Sequence, residues 1–458
     1  MIVMKFGGTS VQDATAISTA ADIVAGRIDR APIVVASAMA RVTDALLRAA
    51  KEASERRFEA ASVMIDEIQD RHSDTARGLL EGSGHLEAVE EDIGRHIEEL
   101  LNLTRSVATL GELTPRTQDA IVSFGERLST VIVAAALKTR GLNARLVDSR
   151  DFIVTDDRFT KAAPLMEEIT ERARTVLLPL VDSGCVPIAQ GFIGSTLDGV
   201  TTTIGRGGSD YSAALIGAAL EADAIEIWTD VDGLMTADPR IVPSARRIRV
   251  ISFAEASELS YFGAKVLHPS TVLPAVERGI PVHIYNTLNP VCEGTLIIAQ
   301  SRPSSNVIKS IAFKRGVTIV NVNSTRMLQA FGFLRRIFEV FDRHQASVDV
   351  VTTSEVSVSM TLDDTARLDA IIHDLEGTGE VTIERNKAIV CVVGDNLKFT
   401  PGVAARLFQA VESTNINMIS QGASEINVTF VIDEGDVDRV VGMLHDHFFA
   451  EVDSEVFA

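Results

Sequence analysis

Two hydrophobic patterns alternate along the first two-thirds of this chain. Short runs such as Ile33–Ala36, Arg145–Val147, Pro187–Ala189, Ile225–Trp228 and Pro281–Ile284 are almost continuously apolar. The segments between them carry apolar residues at helical spacing. A strand that is apolar at successive positions is covered on both faces, so the pattern predicts a mainly parallel sheet sandwiched by helices from Met1 to about Ala299. Ala45 to Leu110 departs from the alternation: it is charged, lacks a β-like run and contains no Pro. It reads as a helical insertion, and its charged faces as those of a solvated subdomain.

The pattern changes at Gln300–Asn306, a polar, Pro-containing stretch that reads as a linker. Beyond it the chain repeats itself. Gly332–Phe338 is answered by Gly402–Phe408, and Thr353–Val356 by Ala423–Ile426, at one constant offset. Each copy predicts an amphipathic helix after the Gly, then an apolar strand (Ser347–Val351; Ile416–Ile419), a turn and an alternating strand (Val356–Met360; Ile426–Phe430). This βα-ββ order is the middle of a ferredoxin-like βαββαβ unit. Paired small modules behind an enzyme-like domain suggest regulation or dimerisation.

At 458 residues the chain is long enough for about three domains with real cores. Its 43 Lys and Arg against 63 Asp and Glu leave a net charge of −20, which opposes general binding to nucleic acid or anionic membranes. Any polyanionic ligand must therefore meet local cations. Cys185, Cys292 and Cys391 are widely separated, without zinc-site or disulfide-framework spacing, which fits a reducing cytoplasm. The first residues lack the pattern of a secretory signal, and the longest uncharged stretch, Ser183–Leu197, is too short and too rich in Gly to span a bilayer. No metal-ligand cluster is suggested.

Two glycine-rich loops carry most of the candidate chemistry. Lys5-Phe6-Gly7-Gly8-Thr9-Ser10 follows an apolar strand and precedes a helical pattern near Val11. Glycines admit close approach of an anion, Thr9 or Ser10 can cap the helix, and free amides with Lys5 make a phosphate site. Gly205-Arg206-Gly207-Gly208-Ser209-Asp210 precedes a helix read as Tyr211–Leu220. Arg206 offers a fork for a carboxylate, while Asp210 either caps the helix or orients Lys5 or a metal. In an open sheet both loops would meet at the carboxyl ends of the strands. Farther on, Asp230 and Asp232 suit either Mg²⁺ or ribose, or an Asp-Gly turn, and Lys265 suits phosphate or a surface position. His268, before Pro269, reads as structural.

These segments, with Ser37-Ala38-Met39, Val42-Thr43, Phe124-Gly125-Glu126-Arg127-Leu128-Ser129, Trp228–Arg240 and Lys265–Pro269, resemble in this order the aspartokinases of the amino acid kinase family, over essentially the whole chain. The resemblance implies the amino acid kinase fold over 1–299, a linker at 300–306, and two ACT modules. The first ACT module, 317–385, would be inserted within the second, 307–316 with 386–458, so that Ile308–Lys314 lends a strand to the module resuming near Asn386. It also implies transfer of the γ-phosphoryl of ATP, with Mg²⁺, to the side-chain carboxylate of L-aspartate.

By that resemblance Lys5, Gly7 and Gly8 stabilise the transferring phosphoryl and Asp210 holds the cations. Arg206 clamps the aspartate α-carboxylate, Glu126 pairs with its α-ammonium, and Ser37, Thr43 and Ser209 add hydrogen bonds. Lys5, Thr9, Ser10, Thr229, Asp230, Met235, Arg240 and Lys265 bind nucleotide. Met327, Ser347, Val348, Asp349, Thr353, Ser354 and Glu355 resemble the lysine-sensing segment of lysine-inhibited members, which gives lysine as the expected effector. A homodimer through the ACT modules, or a tetramer, is implied as well, and the chain ends too soon after the second module for a fused homoserine dehydrogenase. Ala40-Arg41 stands where members commonly have Ser-Gly, Met235 where Tyr is frequent, and Gln329-Ala330 where some lysine-inhibited members have His and Ser. The alternatives are a kinase for another carboxylate such as glutamate, and a catalytically silent amino-acid sensor.

Overall fold

A computed structural model describes every residue except 206, 264–270, 301–303 and 325–330. The chain divides into two compact units. The first holds residues 1–234, 249–253 and 266–300, and the second holds 235–248, 254–265 and 301–458.

The strands of the first unit are β1 (Ile2–Phe6), β2 (Pro32–Ala36), β3 (Ala144–Val147), β4 (Val186–Gln190), β5 (Ile193–Ser195), β6 (Thr201–Thr203), β7 (Ala224–Thr229), β8 (Val250–Ser252), β9 (Val282–Asn286) and β10 (Thr295–Ile298). Eight of them form one sheet in the order β3-β4-β2-β1-β7-β9-β10-β8, with β5 and β6 in a separate hairpin. Every pair in the large sheet is parallel except β9 with β10. The expected apolar runs lie within its strands, save for Pro281, one residue before β9. Burial on both faces explains their unbroken apolar character: all five residues of β1, of β2 and of β4 are buried.

Around the sheet run α1 (Ala14–Ala25), α2 (Val42–Ser54), α3 (Phe58–Leu80), α4 (Leu86–Leu110), α5 (Pro115–Val122), α6 (Phe124–Thr139), α7 (Met166–Asp182) and α8 (Gly208–Leu220). Alternation along β1 sends Ile2, Met4 and Phe6 into the core shared with α1 and α6. Val3 faces the opposite way, toward α8, where Gly217 allows close approach to Ile225. The insertion is helical throughout, as α2, α3 and α4. It is not a separate solvated body: Leu46, Ala50, Ile65, Ala76, Ile97 and Leu100 join the same core as β1. Each helix is polar on one face only, so the charge visible in sequence hides a stripe that must be buried. The run Pro115–Thr139 is long and apolar enough to cross a membrane by length and composition, and most of it lies buried inside the fold.

The second unit contains α9 (Phe253–Phe262) from its second residue onward, whereas α10 (Leu273–Glu277) belongs to the first. Its six-stranded antiparallel sheet comprises β11 (Ile308–Asn323), β12 (Val351–Thr353), β13 (Ser357–Leu362), β14 (Glu380–Gly394), β15 (Met418–Gln421) and β16 (Asn427–Asp433), in the order β12-β13-β11-β14-β16-β15. The long strands β11 and β14 pair along their whole length, and each serves both repeats. Thr318–Asn323 lies between β13 and the first half of β14. Ile308–Lys314 pairs with Gly394–Ile389, so the first half of β11 completes the repeat to which β15 and β16 belong. Helices α11 (Phe333–Arg343), α12 (Leu368–Leu375), α13 (Val403–Ala410) and α14 (Val437–Phe448) complete the unit.

Three local expectations are corrected. The strand expected at Ser347–Val351 begins only at Val351, because Asp349 and Val350 together face Thr361, whose carbonyl accepts from the Asp349 N–H and whose hydroxyl accepts from the Val350 N–H. The strand expected at Ile416–Ile419 runs instead over Met418–Gln421. Of the expected linker, Ser304 and Asn306 are not loose: Ser304 donates to Asp453, and Asn306 exchanges hydrogen bonds with Asp453 and Glu451.

Candidate active site

The loops after β1 and β2 leave the sheet at its carboxyl edge, the place where open α/β sheets bind ligands. Lys5 is the penultimate residue of β1, and the two-residue period turns its side chain to the α8 side. There its ammonium lies 2.7 Å from the carboxylate of Asp210 in the first turn of α8. Asp210 is therefore the partner of Lys5 and not the helix cap. That position falls to Gly207, at φ 72°, and α8 begins at Gly208, three residues earlier than expected.

Gly7 through Ser10 differ in detail from the expected cradle. The Gly7 N–H donates to the Trp228 carbonyl and the Ser10 N–H to the Gly7 carbonyl, so these two amides are already used. Gly8 is needed for packing: a Cβ there would sit 3.0 Å from the Ala38 carbonyl oxygen. Neither Thr9 nor Ser10 caps α1. Asp13 does, accepting from the Ala16 N–H, and a single 3₁₀ turn separates the glycines from the helix. The Ser10 hydroxyl instead contacts the Thr287 hydroxyl at 2.7 Å and the Trp228 carbonyl at 3.2 Å.

The loop after β2 packs directly on the glycine loop. Ser37 N–H donates to the Phe6 carbonyl and Ala40 N–H to that of Gly8. Ser129 donates to the Ser37 carbonyl from α6. Arg71 of α3 reaches both loops at once, donating to Ala40 O at 2.6 Å and Gln12 O at 2.9 Å. The insertion therefore braces the site, a role that nothing in the spacing of Arg71 announces. Arg41 adopts φ 70°, a left-handed conformation, at the N-cap of α2, and Thr43 follows in that helix's first turn.

Glu126 sits in the first turn of α6 with 3% of its surface exposed, and its Oε2 has no hydrogen-bond partner. Burial pushes its carboxyl up to about 8, against the opposing effect of backbone hydrogen bonds from Ala38 and from Glu126 itself. This buried, half-satisfied carboxyl lies beside Ala38, which in turn abuts Gly8, and burial without full pairing is costly. Ser209 belongs to the first turn of α8, packed so closely on Gly191 that a Cβ there would lie 2.5 Å from that of Ser209. Arg206 lies outside the described residues.

On the other side of β1, Thr229 ends β7 and its carbonyl accepts from Thr287. Asp230 is exposed, with Thr229 donating to its carboxylate. Asp232 is the fixed one of the two carboxylates, accepting from Asn286 at 2.8 Å and Asn289 at 3.2 Å. Asn286, Thr287 and Asn289 were not singled out from sequence, although the polar turn after the apolar β9 run was a visible signal. Met235 and Arg240 belong to the second unit. Arg240 is mostly exposed and forms an ion pair with Asp238, and Lys265 lies outside the described residues.

Among the expected effector residues, Met327 is outside the described set. Ser347, Val348 and Asp349 precede β12, Thr353 ends it, and Ser354 and Glu355 form the exposed turn into β13. The side chain of Asp349 is buried. It receives the Tyr261 hydroxyl at 2.5 Å and the Lys314 ammonium at 3.0 Å. Lys314 also pairs with Asp363 at 2.6 Å.

Residues 1–286 match the model of the amino acid kinase family and residues 390–448 match that of an ACT domain. The lysine-sensitive aspartokinase 3 of Escherichia coli K12 is 39% identical over 98% of this chain and 99% of its own. The crystal structure of E. coli aspartokinase III with aspartate and ADP, in its R-state, superimposes with a TM-score of 0.83 at 38% identity, covering 98% of this chain and all of that one. The T-state structure with lysine and aspartate gives 0.84 at 38% identity over 98% and 99% of the two chains. An α/β sheet that sets a lysine beside glycine loops at its carboxyl edge, together with these matches, places the chain in the amino acid kinase family. Within it, the enzyme is an aspartate kinase carrying a C-terminal ACT region.

Proposed function

We propose that the enzyme transfers the γ-phosphoryl group of ATP to the side-chain carboxylate of L-aspartate, giving 4-phospho-L-aspartate. This is the first step toward lysine, threonine and methionine. The observation that carries the substrate reading is the buried carboxyl of Glu126, its Oε2 without a partner, beside Ala38 on the loop that packs against Gly8. An ammonium acceptor thus stands next to a phosphoryl-binding loop.

The aspartate side-chain carboxylate is ionised at neutral pH, so it attacks without a general base. The difficulty is bringing two anions together, and cations serve that end. Lys5 stabilises the charge on the transferring phosphoryl, with Gly7 and Gly8 giving it room, and Asp210 holds the Lys5 ammonium in place. Mg²⁺ would enter with the nucleotide and offset the charge of its phosphates. Glu126 takes the aspartate α-ammonium and Arg206 its α-carboxylate, with Ser37, Thr43 and Ser209 as further donors. Thr9, Ser10, Thr229, Asp230, Met235, Arg240 and Lys265 hold the nucleotide.

Lysine is the proposed feedback effector, taken by Met327, Ser347, Val348, Asp349, Thr353, Ser354 and Glu355. The similarity to a lysine-sensitive enzyme supports this. We assign 1–299 to catalysis, 317–385 to the first ACT module, and 307–316 with 386–458 to the second, through which the chain forms a homodimer or a tetramer in the cytoplasm.

The test is ATP- and Mg²⁺-dependent acyl phosphate formation, trapped with hydroxylamine, on aspartate and on glutamate, with and without lysine. The proposal expects product from aspartate only, falling as lysine is added. Product from glutamate at a comparable rate would overturn the substrate assignment, and no response to lysine would overturn the effector.

A further inference from the structure

Asp119, on α5, contributes nothing to the site described above, yet it is almost fully buried and accepts three hydrogen bonds. Its Oδ2 takes the Thr160 N–H and the Thr203 N–H, each at 2.9 Å, and its Oδ1 takes the Thr203 hydroxyl at 2.8 Å. All three donors come from the two segments beside the loop 205–209. Thr203 is the last residue of β6 and lies just before Gly205. Thr160 is held at φ 71°, and a Cβ on Gly205 would sit 3.6 Å from its carbonyl oxygen. The Ala162 N–H in turn donates to the Thr203 carbonyl, closing the two segments on each other.

The other end of the connection is equally definite. Thr114 caps α5, Pro115 opens it, and the helix passes through Ser123 into α6, whose first turn bears Glu126. One carboxylate therefore ties the helix pair that presents Glu126 to the hairpin end that launches the Arg206 loop. Burying a charge is costly even when it is satisfied, and an apolar side chain would fill the same space. What the carboxylate adds is direction, fixing two backbone N–H groups and a hydroxyl.

We propose that Asp119 is a positioning residue for aspartate: it fixes the Thr160 turn and the end of β6, just before Gly205, against the helices that present Glu126. This rests on the reading of Glu126 and Arg206 as aspartate ligands. An amide at 119 could keep its oxygen on the two N–H donors only by turning its NH₂ to the Thr203 hydroxyl, which must then swing round and accept, and a neutral oxygen holds the two N–H groups less firmly than a carboxylate, so the loop drifts.

The experiment measures steady-state kinetics of the full-length enzyme. Asp119→Asn is expected to raise the KM for aspartate about tenfold, with the KM for ATP within about twofold and kcat within about threefold of the parent. Thr203→Val should raise the KM for aspartate about threefold, and Thr203→Ser, which keeps the hydroxyl, should restore it. An unchanged KM for aspartate in folded Asp119→Asn, or equal losses for both substrates and kcat, would overturn the role. If Asp119→Asn does not fold, Thr203→Val decides: a parental KM there also overturns it. Glu126→Gln and Arg206→Lys are measured alongside. If they leave the KM for aspartate unchanged, the site reading falls and the positioning role falls with it. If they raise it while the Asp119 and Thr203 variants do not, only the positioning role fails.

Discussion

The Lys5 ammonium and the Asp210 carboxylate meet at 2.7 Å, each about nine-tenths buried, across the gap between the end of β1 and the first turn of α8. Asp210 thus neutralises the cation in the free enzyme and aims it, and the nucleotide phosphates would give it a second partner. Because its charge is most needed as phosphoryl charge develops, Lys5→Ala should lower kcat at least about a hundredfold while weakening aspartate binding only slightly. Asp210→Asn, which keeps the shape and removes the charge, should lower kcat about tenfold or more. Steady-state rates set against calorimetric aspartate binding separate the two effects. Equal loss of turnover and affinity in Lys5→Ala would refute the transition-state role.

Glu126 gives the proposed aspartate site a pH signature. Burial raises its carboxyl from 4.5 to about 8, so between those values the folded, ligand-free protein holds a proton that the unfolded chain has lost. Its contribution to stability therefore declines as pH rises through that window. Arrival of the substrate ammonium favours the ionised form and expels the proton. Aspartate binding at neutral pH should release a proton, and the KM for aspartate should fall as pH rises toward about 8. Calorimetry in two buffers of different ionisation enthalpy counts that proton. Glu126→Gln should abolish the release, and a release that persisted in the variant would assign it to another group.

Arg41 occupies a conformation that suits glycine. The left-handed region costs a side-chain-bearing residue roughly 1–2 kcal/mol, of which the greater unfolded-state freedom of glycine cancels about 0.5–1. Arg41→Gly should therefore stabilise the catalytic unit by up to about 1 kcal/mol, read as a rise of a few degrees at most in its unfolding midpoint. Ala40, beside it, is held from both sides, its N–H by the Gly8 carbonyl and its carbonyl by Arg71. A lower midpoint in Arg41→Gly would mean that the guanidinium makes a compensating contact.

The sheet was legible in sequence because both faces of its central strands β1, β2, β4 and β7 are covered, so strand after strand wrote the same apolar run. The repeat was legible because two copies of one module must bury equivalent faces. The glycine loops were found for the right reason in part. Gly8 is required by contact with Ala38, but the Gly7 amide serves the fold instead of a ligand. Helix starts were misplaced because several nearby side chains were each able to cap, and Asp13 or Gly207 won by geometry that no local pattern fixes. Arg71, Asp119 and Asp232 were missed or left ambiguous for a common reason. Each acts on a carbonyl or amide brought near it by the fold, and a charged residue in a helix or turn looks the same in sequence whether it is solvated or buried against a distant loop.

The proposed effector site already contains an ammonium. Lys314 bridges Asp349 and Asp363, its Nζ 5.3 Å from the centre of the Tyr261 ring, while Tyr261 donates to the same Asp349 carboxylate. An incoming lysine that uses Asp349 must compete with this resident cation, and Asp363 gives Lys314 a place to retreat. Glu355, exposed on the turn before β13, has no such competitor on its carboxylate among the described ion pairs and is the easier partner to lose without disturbing the fold. Glu355→Ala should therefore raise the lysine concentration for half-inhibition several-fold with uninhibited activity nearly intact, while Lys314→Met, by vacating Asp349, should lower it. Inhibition curves at fixed aspartate and ATP read both variants. A Lys314→Met enzyme that needs more lysine would show that the resident ammonium helps to build the site, and an unchanged response in Glu355→Ala would move the effector away from this turn.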